Sequence, residues 1–531
     1  MGLFQTQLLT AASLPGWNIL LPVLLLVPVS VAFYRLYLSP LSHVPGPWFA
    51  CISSFFLYAI CYLGIEGRVL RHYHQRYHTA VLRIGSNAVS LSDGDALHSV
   101  YVAGGGLPKD SRYRNFRVEG HDTIFSTLDP SYRNIRAKAV LPLFATSRIH
   151  SSYEDNGMMS QLVNKFVDIL RTEKDRASPR QSHKTVTKKV DILDLSSRLS
   201  IDVLTGYLFK KVYGGLDEQS SAPAEAGSTE KRQHPWGNKL SATPFVLAIV
   251  AFSRFSLLPS WLFTLIISFQ VGLTFRKETA ASLEHIANFV AGIMDVGTGT
   301  DTGTRPDDNE TYQSRLLAAG ISHSETLIQC KAAMFAGADS TAVMLSTILF
   351  HLVQRPDVRQ RVKEEIDQRP AGVDYRTLPY LRAVIREGLR LGMANPVRLT
   401  RIVPPESQGL SVSGFYLPPG TVVGAAAYVF HHNPDIFPMP FEFQPERWIS
   451  EHHEEQHNTQ ARRLMDRDFF PFGLGSRACL GRNLAMQQLF AAVSTVVESG
   501  VLEGAKTCTR HIELIEWFNA EIKGHELEIE W

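Results

Sequence analysis

Cysteine is scarce in this chain: five in 531 residues, none arranged as C-x-x-C. That excludes a disulfide-framed scaffold, a zinc ribbon and thioredoxin-type exchange, so any cysteine that matters acts singly. A surplus of charge of one sign is missing as well. Lys and Arg number 53 against 51 Asp and Glu, a formal net charge of +2. A protein that works mainly by neutralising nucleic-acid phosphate is excluded. The sequence contains no internal repeat, and at 45% hydrophobic residues it is far too apolar for global disorder.

The sharpest absence is local. No Asp, Glu, Lys or Arg precedes Arg35. Inside that stretch, Trp17 to Tyr34 is almost wholly apolar and with its flanks reaches the ~20 residues that span a bilayer. A secretory signal would want a basic start, a shorter apolar core and a small-residue cleavage site. A buried soluble helix would be burdened by Pro22 and Pro28, which a membrane span tolerates. The expectation is a retained membrane anchor over residues 1–38, with Arg35, Arg68 and Arg71 favouring a cytosolic body. Met1-Gly2-Leu3-Phe4-Gln5-Thr6 also fits the loose myristoylation pattern, a weaker signal than the span beside it. Ser39-Pro40 and His43-Val44-Pro45-Gly46-Pro47 then restrict the backbone and predict a stiff hinge over 39–47. The body follows over 48–531.

Within the body, Glu66 to His78 is expected to be a helix. Val81–Ile84 and Ala88–Leu91, joined through Gly85-Ser86-Asn87, predict a hairpin. Polar stretches at Thr172–Lys189, Gly214–Pro235 and Gly297–Thr311 punctuate the chain, the second as a flexible surface insertion. Pro244–Phe275 is strongly apolar and could be core, a lipid-facing lip or a second span. The best-defined helix runs from Ser322 to Gln354, opened by the capping box Ser322-His323-Ser324-Glu325 and stopped at Arg355-Pro356. It would cross about 45–50 Å. Its small centre, Ala336-Gly337-Ala338, leaves two readings open: a bulky group against that face, or close helix packing.

Near the C-terminus stands Phe470-Pro471-Phe472-Gly473-Leu474-Gly475-Ser476-Arg477-Ala478-Cys479-Leu480-Gly481. Gly473-x-Gly475-x-x-Ala478 superficially fits a dinucleotide fingerprint. That motif needs a preceding strand and a βαβ unit; Pro471 precedes it and only about 50 residues follow. The other reading makes Cys479 a thiolate metal ligand. The glycines let backbone pass close to a large planar group, Arg477 adds fixed positive charge, and an amphipathic helix starting at Arg482 puts its positive end nearby.

Phe472-Gly473-x-Gly475-x-Arg477-x-Cys479-x-Gly481 resembles the haem-binding signature of the cytochromes P450. Three further motifs follow the family's order: Ala336-Gly337-Ala338-Asp339-Ser340-Thr341, its oxygen-activation helix; Glu387-Gly388-Leu389-Arg390, its Glu-x-x-Arg; and Phe443-Gln444-Pro445-Glu446-Arg447-Trp448, whose Arg447 joins that pair. The resemblance spans Pro45 to Trp531, and the anchor with its proline hinge is similar to the microsomal subclass. It implies a mainly α-helical single domain with small β-sheets, holding haem b through Cys479. Phe472, Gly473 and Gly481 would belong to the cofactor cradle, while Arg477, Arg401 and Arg136 would bind the haem propionates. Tyr132 stands where members often carry Trp or His, and a phenol could still donate there. Glu387, Arg390 and Arg447 would form a core network. Asp339 would relay protons that Ser340, where threonine is commoner, and Thr341 orient toward bound oxygen. The alternative for Ser340 is a helix-bound hydroxyl bonded to a carbonyl. By family position, Ala336, Gly337, Val397, Trp517 and Phe518 should line the substrate pocket.

The implied activity is monooxygenation of a lipophilic small molecule with O2 and NADPH: hydroxylation, epoxidation or a multistep oxidation in fungal-style secondary metabolism. Nothing in the chain binds a nicotinamide or flavin. Electrons would come from NADPH–cytochrome P450 reductase, with cytochrome b5 as a second donor, at the endoplasmic reticulum membrane; Arg133, Lys138, Arg462, Arg463 and Arg482 are candidates for docking the acidic partner. Two alternatives belong to other classes: a reductase-independent haem-thiolate isomerase or dehydratase, and a non-catalytic haem sensor. Three further signals carry no chemistry. His452, His453 and His457 sit in a polar acidic loop, Asn309-Glu310-Thr311 is a glycosylation sequon, and Lys109 to Arg117 reads as a solvated basic loop near the entrance, not a nucleic-acid patch.

Overall fold

A computed structural model describes residues 26–153, 157–177, 189–220, 239–274, 277–296, 310–449 and 455–531. His452, His453 and Asn309 lie outside them, as do most of Gly214–Pro235 and the side chain of His457. Helices dominate, and the architecture is built round one of them, His323–Gln354. Its N-cap is Ser322, whose hydroxyl accepts from the Glu325 N–H at 3.3 Å. The reciprocal half of the capping box does not form, because the Glu325 carboxylate is taken by Tyr132 and Arg136.

The helix is apolar enough to cross a membrane, but 67% of its apolar window is buried, so that apolarity is core. It packs on Ile192–Phe209, where a Cβ on Gly337 would come within 2.5 Å of Leu204 Cδ1. Close helix packing therefore explains Gly337. On its other sides lie Pro379–Leu391 and Arg482–Glu498, all within one large buried cluster.

A four-stranded sheet forms the second, smaller core. Val81–Gly85 pairs antiparallel with Ala88–Leu91 as the hairpin predicted. Ala88–Leu91 then runs parallel to Val422–Ala425, which pairs antiparallel with Arg401–Ile402. This brings Arg401 to the domain interior from a distant part of the chain.

Of the charge-free N-terminus, an apolar helix over Leu26–Leu38 is described, and residues 1–25 of the expected span lie outside the described residues. The hinge is not a free spacer. Leu41 and Val44 are buried, Arg83 N–H donates to the Pro45 carbonyl at 2.7 Å, and the Arg83 guanidinium donates to Arg35 and Leu41 carbonyls. Pro244–Phe275 contains two short helices, Thr243–Phe252 and Ser260–Thr274, and no single span. They divide the two remaining readings: Phe245, Phe252 and Phe263 face an internal cavity, while Trp261 and Phe269 are exposed at 71% and 72%.

Glu387, Arg390 and Arg447 meet in the interior. Arg390 forks onto Glu387 through Nε and Nη2 at 2.9 and 2.7 Å, and Arg447 Nε reaches it at 3.1 Å. Trp448 Nε1 and the Gln444 N–H complete the set at 2.8 and 3.0 Å. Burial pushes the Glu387 carboxyl up, but Arg390, Arg447 and the Gln444 N–H outweigh it and leave it below its ordinary range.

Candidate active site

The segment Phe470–Gly481 folds back under the central helix and closes a cavity of about 650 Å3. Cys479 is fixed by its own N–H, which donates to the Phe472 carbonyl at 2.9 Å, and its side chain opens into the cavity. Gly475 has a left-handed φ of 65°, and a Cβ there would lie 1.8 Å from the Tyr101 carbonyl oxygen. Only glycine allows that approach. Burial pushes the Cys479 thiol up, while backbone N–H groups of Gly481 and Arg482 and the Arg482 charge pull the other way without reversing it. A thiolate at this position therefore calls for a metal cation, which deprotonates a coordinating thiol outright.

One end of the cavity gathers positive charge. Lys109, Arg133, Arg401 and Arg477 all line it. Burial, then Arg133 and Arg401, lower Arg477 to about 10; burial and the same arginines hold Lys109 well below its ordinary value. Among the described residues none of the four has an ion-pair partner, and Arg477 Nη1 is buried without any hydrogen bond. Four crowded cations with no ion-pair contact among the described residues fit a ligand carrying carboxylates, which planar guanidinium forks bind well. With Cys479 on the cavity wall, the residues present fit haem and its two propionates.

Two sequence expectations are corrected here. Arg136 does not reach the cavity. Its guanidinium lies 3.4 Å from the Tyr132 ring centroid and ion-pairs with Glu325, Nη2 to Oε2 at 2.8 Å. The Tyr132 hydroxyl donates to the Asp122 carbonyl at 2.7 Å and contacts the same Glu325. This pair fastens the start of the central helix, and Arg133, assigned from sequence to partner docking, takes the cavity place. Residues three apart share a helix face, so the motif alone does not say which arginine turns inward; Glu325 decides. Lys109–Arg117 is likewise no solvated loop, since Lys109, Arg112 and Tyr113 are buried and Lys109 donates to the Phe125 carbonyl.

The central helix lines the same cavity with Ala336, Gly337, Ser340 and Thr341. Ser340 Oγ donates to the Ala336 carbonyl at 2.7 Å, the helix-bound arrangement named above as its alternative, while the residue still lines the cavity with acceptor lone pairs to offer. Asp339 faces elsewhere, into a second cavity of about 40 Å3 beside Glu521, and burial lifts its carboxyl to about 7. Of the expected substrate-pocket residues, Ala336, Gly337 and Phe518 line the large cavity. Val397 packs behind it against Tyr113 and Phe518, and Trp517 packs on Val246 and Val250 with its indole N–H on the Tyr62 carbonyl at 3.2 Å. Sequence reading missed most of the aromatic wall, Phe116, Phe125, Phe245, Phe252, Phe263 and Phe335. Those rings come from scattered segments, and no local pattern marks them.

A family model for cytochrome P450 matches residues 45–499. The chain is 46% identical over 518 residues to the cytochrome P450 monooxygenase mfmF of Annulohypoxylon moriforme, covering 97% of this chain and 100% of that protein. It is 28% identical to the N-acetyltryptophan 6-hydroxylase ivoC of Emericella nidulans, over 91% of this chain and 90% of that one. A pisatin demethylase of Fusarium vanettenii is 25% identical over 92% of this chain and 89% of its own length.

Proposed function

The chain belongs to the cytochrome P450 family and is a cytochrome P450 monooxygenase, and from that premise we propose that it inserts one oxygen atom from O2 into a lipophilic aromatic or polycyclic small molecule in fungal secondary metabolism. The observation that carries this reading is the arrangement of the large cavity. Cys479, four cations without an ion-pair partner among the described residues, a small-residue helix stretch with the Ser340 hydroxyl and a set of aromatic rings all line it. Bound haem supplies dioxygen activation at an iron whose thiolate ligand favours O–O cleavage. The chain's own residues do the rest. Lys109, Arg133, Arg401 and Arg477 would hold the propionates, the aromatic wall would bind an apolar substrate and exclude water, and Ser340 and Asp339 would manage protons. A relative whose name describes a hydroxylase and another named a demethylase support oxidation of a small molecule.

Electrons would arrive from NADPH through a membrane-bound reductase, with cytochrome b5 as a second donor. Lys138, Arg463 and Arg482 are exposed and remain in the docking set, Arg462 is half-buried and paired with Asp466 at 3.2 Å, and Arg133 leaves it. The N-terminus, without a charge before Arg35 and with an apolar helix over Leu26–Leu38, supports anchorage in the endoplasmic reticulum membrane with the body in the cytosol. The test is expression of the full chain with reductase, a reduced carbon-monoxide difference spectrum, and product analysis with and without NADPH. A haem-thiolate spectrum with NADPH-dependent product is expected. Product formed without NADPH would favour an isomerase or dehydratase, and a thiolate spectrum with no turnover would favour a sensor. Reductase-dependent reduction that ignored ionic strength would remove the docking set.

A further inference from the structure

The small cavity behind the central helix is lined by two acids from far-apart places in the sequence. Asp339 comes from the helix itself. Glu521 comes from the strand Glu521–Ile522 of the C-terminal hairpin, which pairs with Leu514–Ile515. The Asp339 side chain makes no hydrogen bond or ion pair with any other described residue, and it lines this space. The cavity holds about 40 Å3, enough for one or more water molecules at the roughly 10–15 Å3 each requires. Glu521 is 9% exposed, and its Oε1 lies 3.0 Å from Nε2 of His525, whose side chain is 30% exposed. A line of titratable groups thus runs from solvent through His525 and Glu521 to Asp339, apart from the large cavity.

We infer that His525 and Glu521 form the proton entry of this enzyme, reloading Asp339 from bulk water through the small cavity. The inference rests on the monooxygenase reading, because only a reaction that consumes protons beside Ser340 needs such a supply. Each passage moves one proton and no electrons. His525 takes a proton from water at Nδ1 as its Nε2 proton passes to Glu521, Glu521 passes one through cavity water to Asp339, and the Asp339 side chain, turning about its Cα–Cβ bond, carries one to the Ser340 side of the helix. The relay ends each passage with its charge unchanged, while the electrons come separately from the reductase.

The surroundings suit the task. Burial lifts both Asp339 and Glu521 to about 7, with the Asp339 charge adding to the rise at Glu521 and Arg254 opposing it, so each acid can take up and give up a proton near neutral pH. Burial and Lys239 hold His525 near 4, which keeps it neutral and able to carry a proton through. The other charged groups at the cavity are engaged: Lys239 Nζ donates to the His525 carbonyl at 2.9 Å, and Asp194 is paired with Arg198 at 2.6 Å and accepts the Leu240 N–H.

The test uses the full-length haem-loaded enzyme and the variants Glu521→Gln, Glu521→Asp and Asp339→Asn. Infrared spectroscopy would follow the C=O stretch of protonated buried carboxyls across pH. Two coupled carboxyls titrating near neutrality are expected in the wild type, with Glu521→Gln removing one and shifting the other, and Asp339→Asn doing the reverse. With reductase, Glu521→Gln should cut product per NADPH roughly tenfold, flatten its pH profile and enlarge the solvent isotope effect, and Glu521→Asp should restore part of each. An unchanged infrared titration in Glu521→Gln, or an unchanged pH profile of product per NADPH, would overturn the relay. A wild type without a haem-thiolate spectrum would overturn the monooxygenase reading instead, and the infrared titration would still show whether the acids are coupled.

Discussion

Replacing Glu387 by glutamine isolates the buried network most cleanly, because shape is retained and only the charge is removed. In the wild type the carboxylate accepts five hydrogen bonds, from Arg390 Nε and Nη2, Arg447 Nε, Trp448 Nε1 and the Gln444 N–H. Glu387 and Arg390 side chains are both 0% exposed. A glutamine offers one acceptor oxygen and turns two N–H donors toward donors. Arg390 would keep its bonds to the carbonyls of His431, Pro440 and Glu442. It would nonetheless be left a buried cation without a counter-charge, which costs about 3–5 kcal/mol. Unfolding entropy of about 2.1 cal/mol/K per residue over 531 residues comes to about 1.1 kcal/mol per degree. The expected drop in Tm is therefore only about 3–5 °C, and chemical denaturation is the better assay. The sign with pH also follows. The folded Glu387 pKa is depressed, so its contribution is present above the unfolded value of about 4.3 and lost as pH falls below it. Glu387→Gln should be destabilised at neutral pH, and its stability should change less than the wild type's on acidification. A variant within about 0.5 kcal/mol of wild type at pH 7, folded and haem-loaded, would refute the argument.

Cys479→Ala should abolish the haem-thiolate carbon-monoxide spectrum while far-ultraviolet dichroism keeps its helical signal. Arg133→Leu should weaken haem retention, measured as transfer to apomyoglobin, whereas Arg136→Leu should lower thermal stability by roughly 1–3 kcal/mol through the freed Glu325 and leave haem transfer nearly unchanged; the opposite pattern would restore the sequence assignment. Ser340→Ala should lower product per NADPH and raise peroxide leakage, since it removes the one hydroxyl bonded to the Ala336 carbonyl at the cavity wall; unchanged coupling would mean the serine only caps its own helix.

Much of this protein was determined locally. The cradle from Phe472 to Gly481 is legible because a single cysteine, a positive-φ glycine and a helix start must fall at fixed spacing for sulfur and backbone to meet one planar group. The central helix and the first hairpin are legible because helical capping and strand alternation are short-range. Glu387 and Arg390 share a helical face at a separation of three, which local geometry also dictates. What the sequence did not determine was which face of an element a neighbour would claim. Arg133 and Arg136 differ in role because Glu325, nearly 190 residues away, holds one and not the other. Asp339 and Ser340 are adjacent in sequence, yet the helix turns them to different cavities, and the C-terminal strand that brings Glu521 to Asp339 carries no motif. Those choices are made by long-range contacts, in which a side chain's partner depends on how distant elements pack.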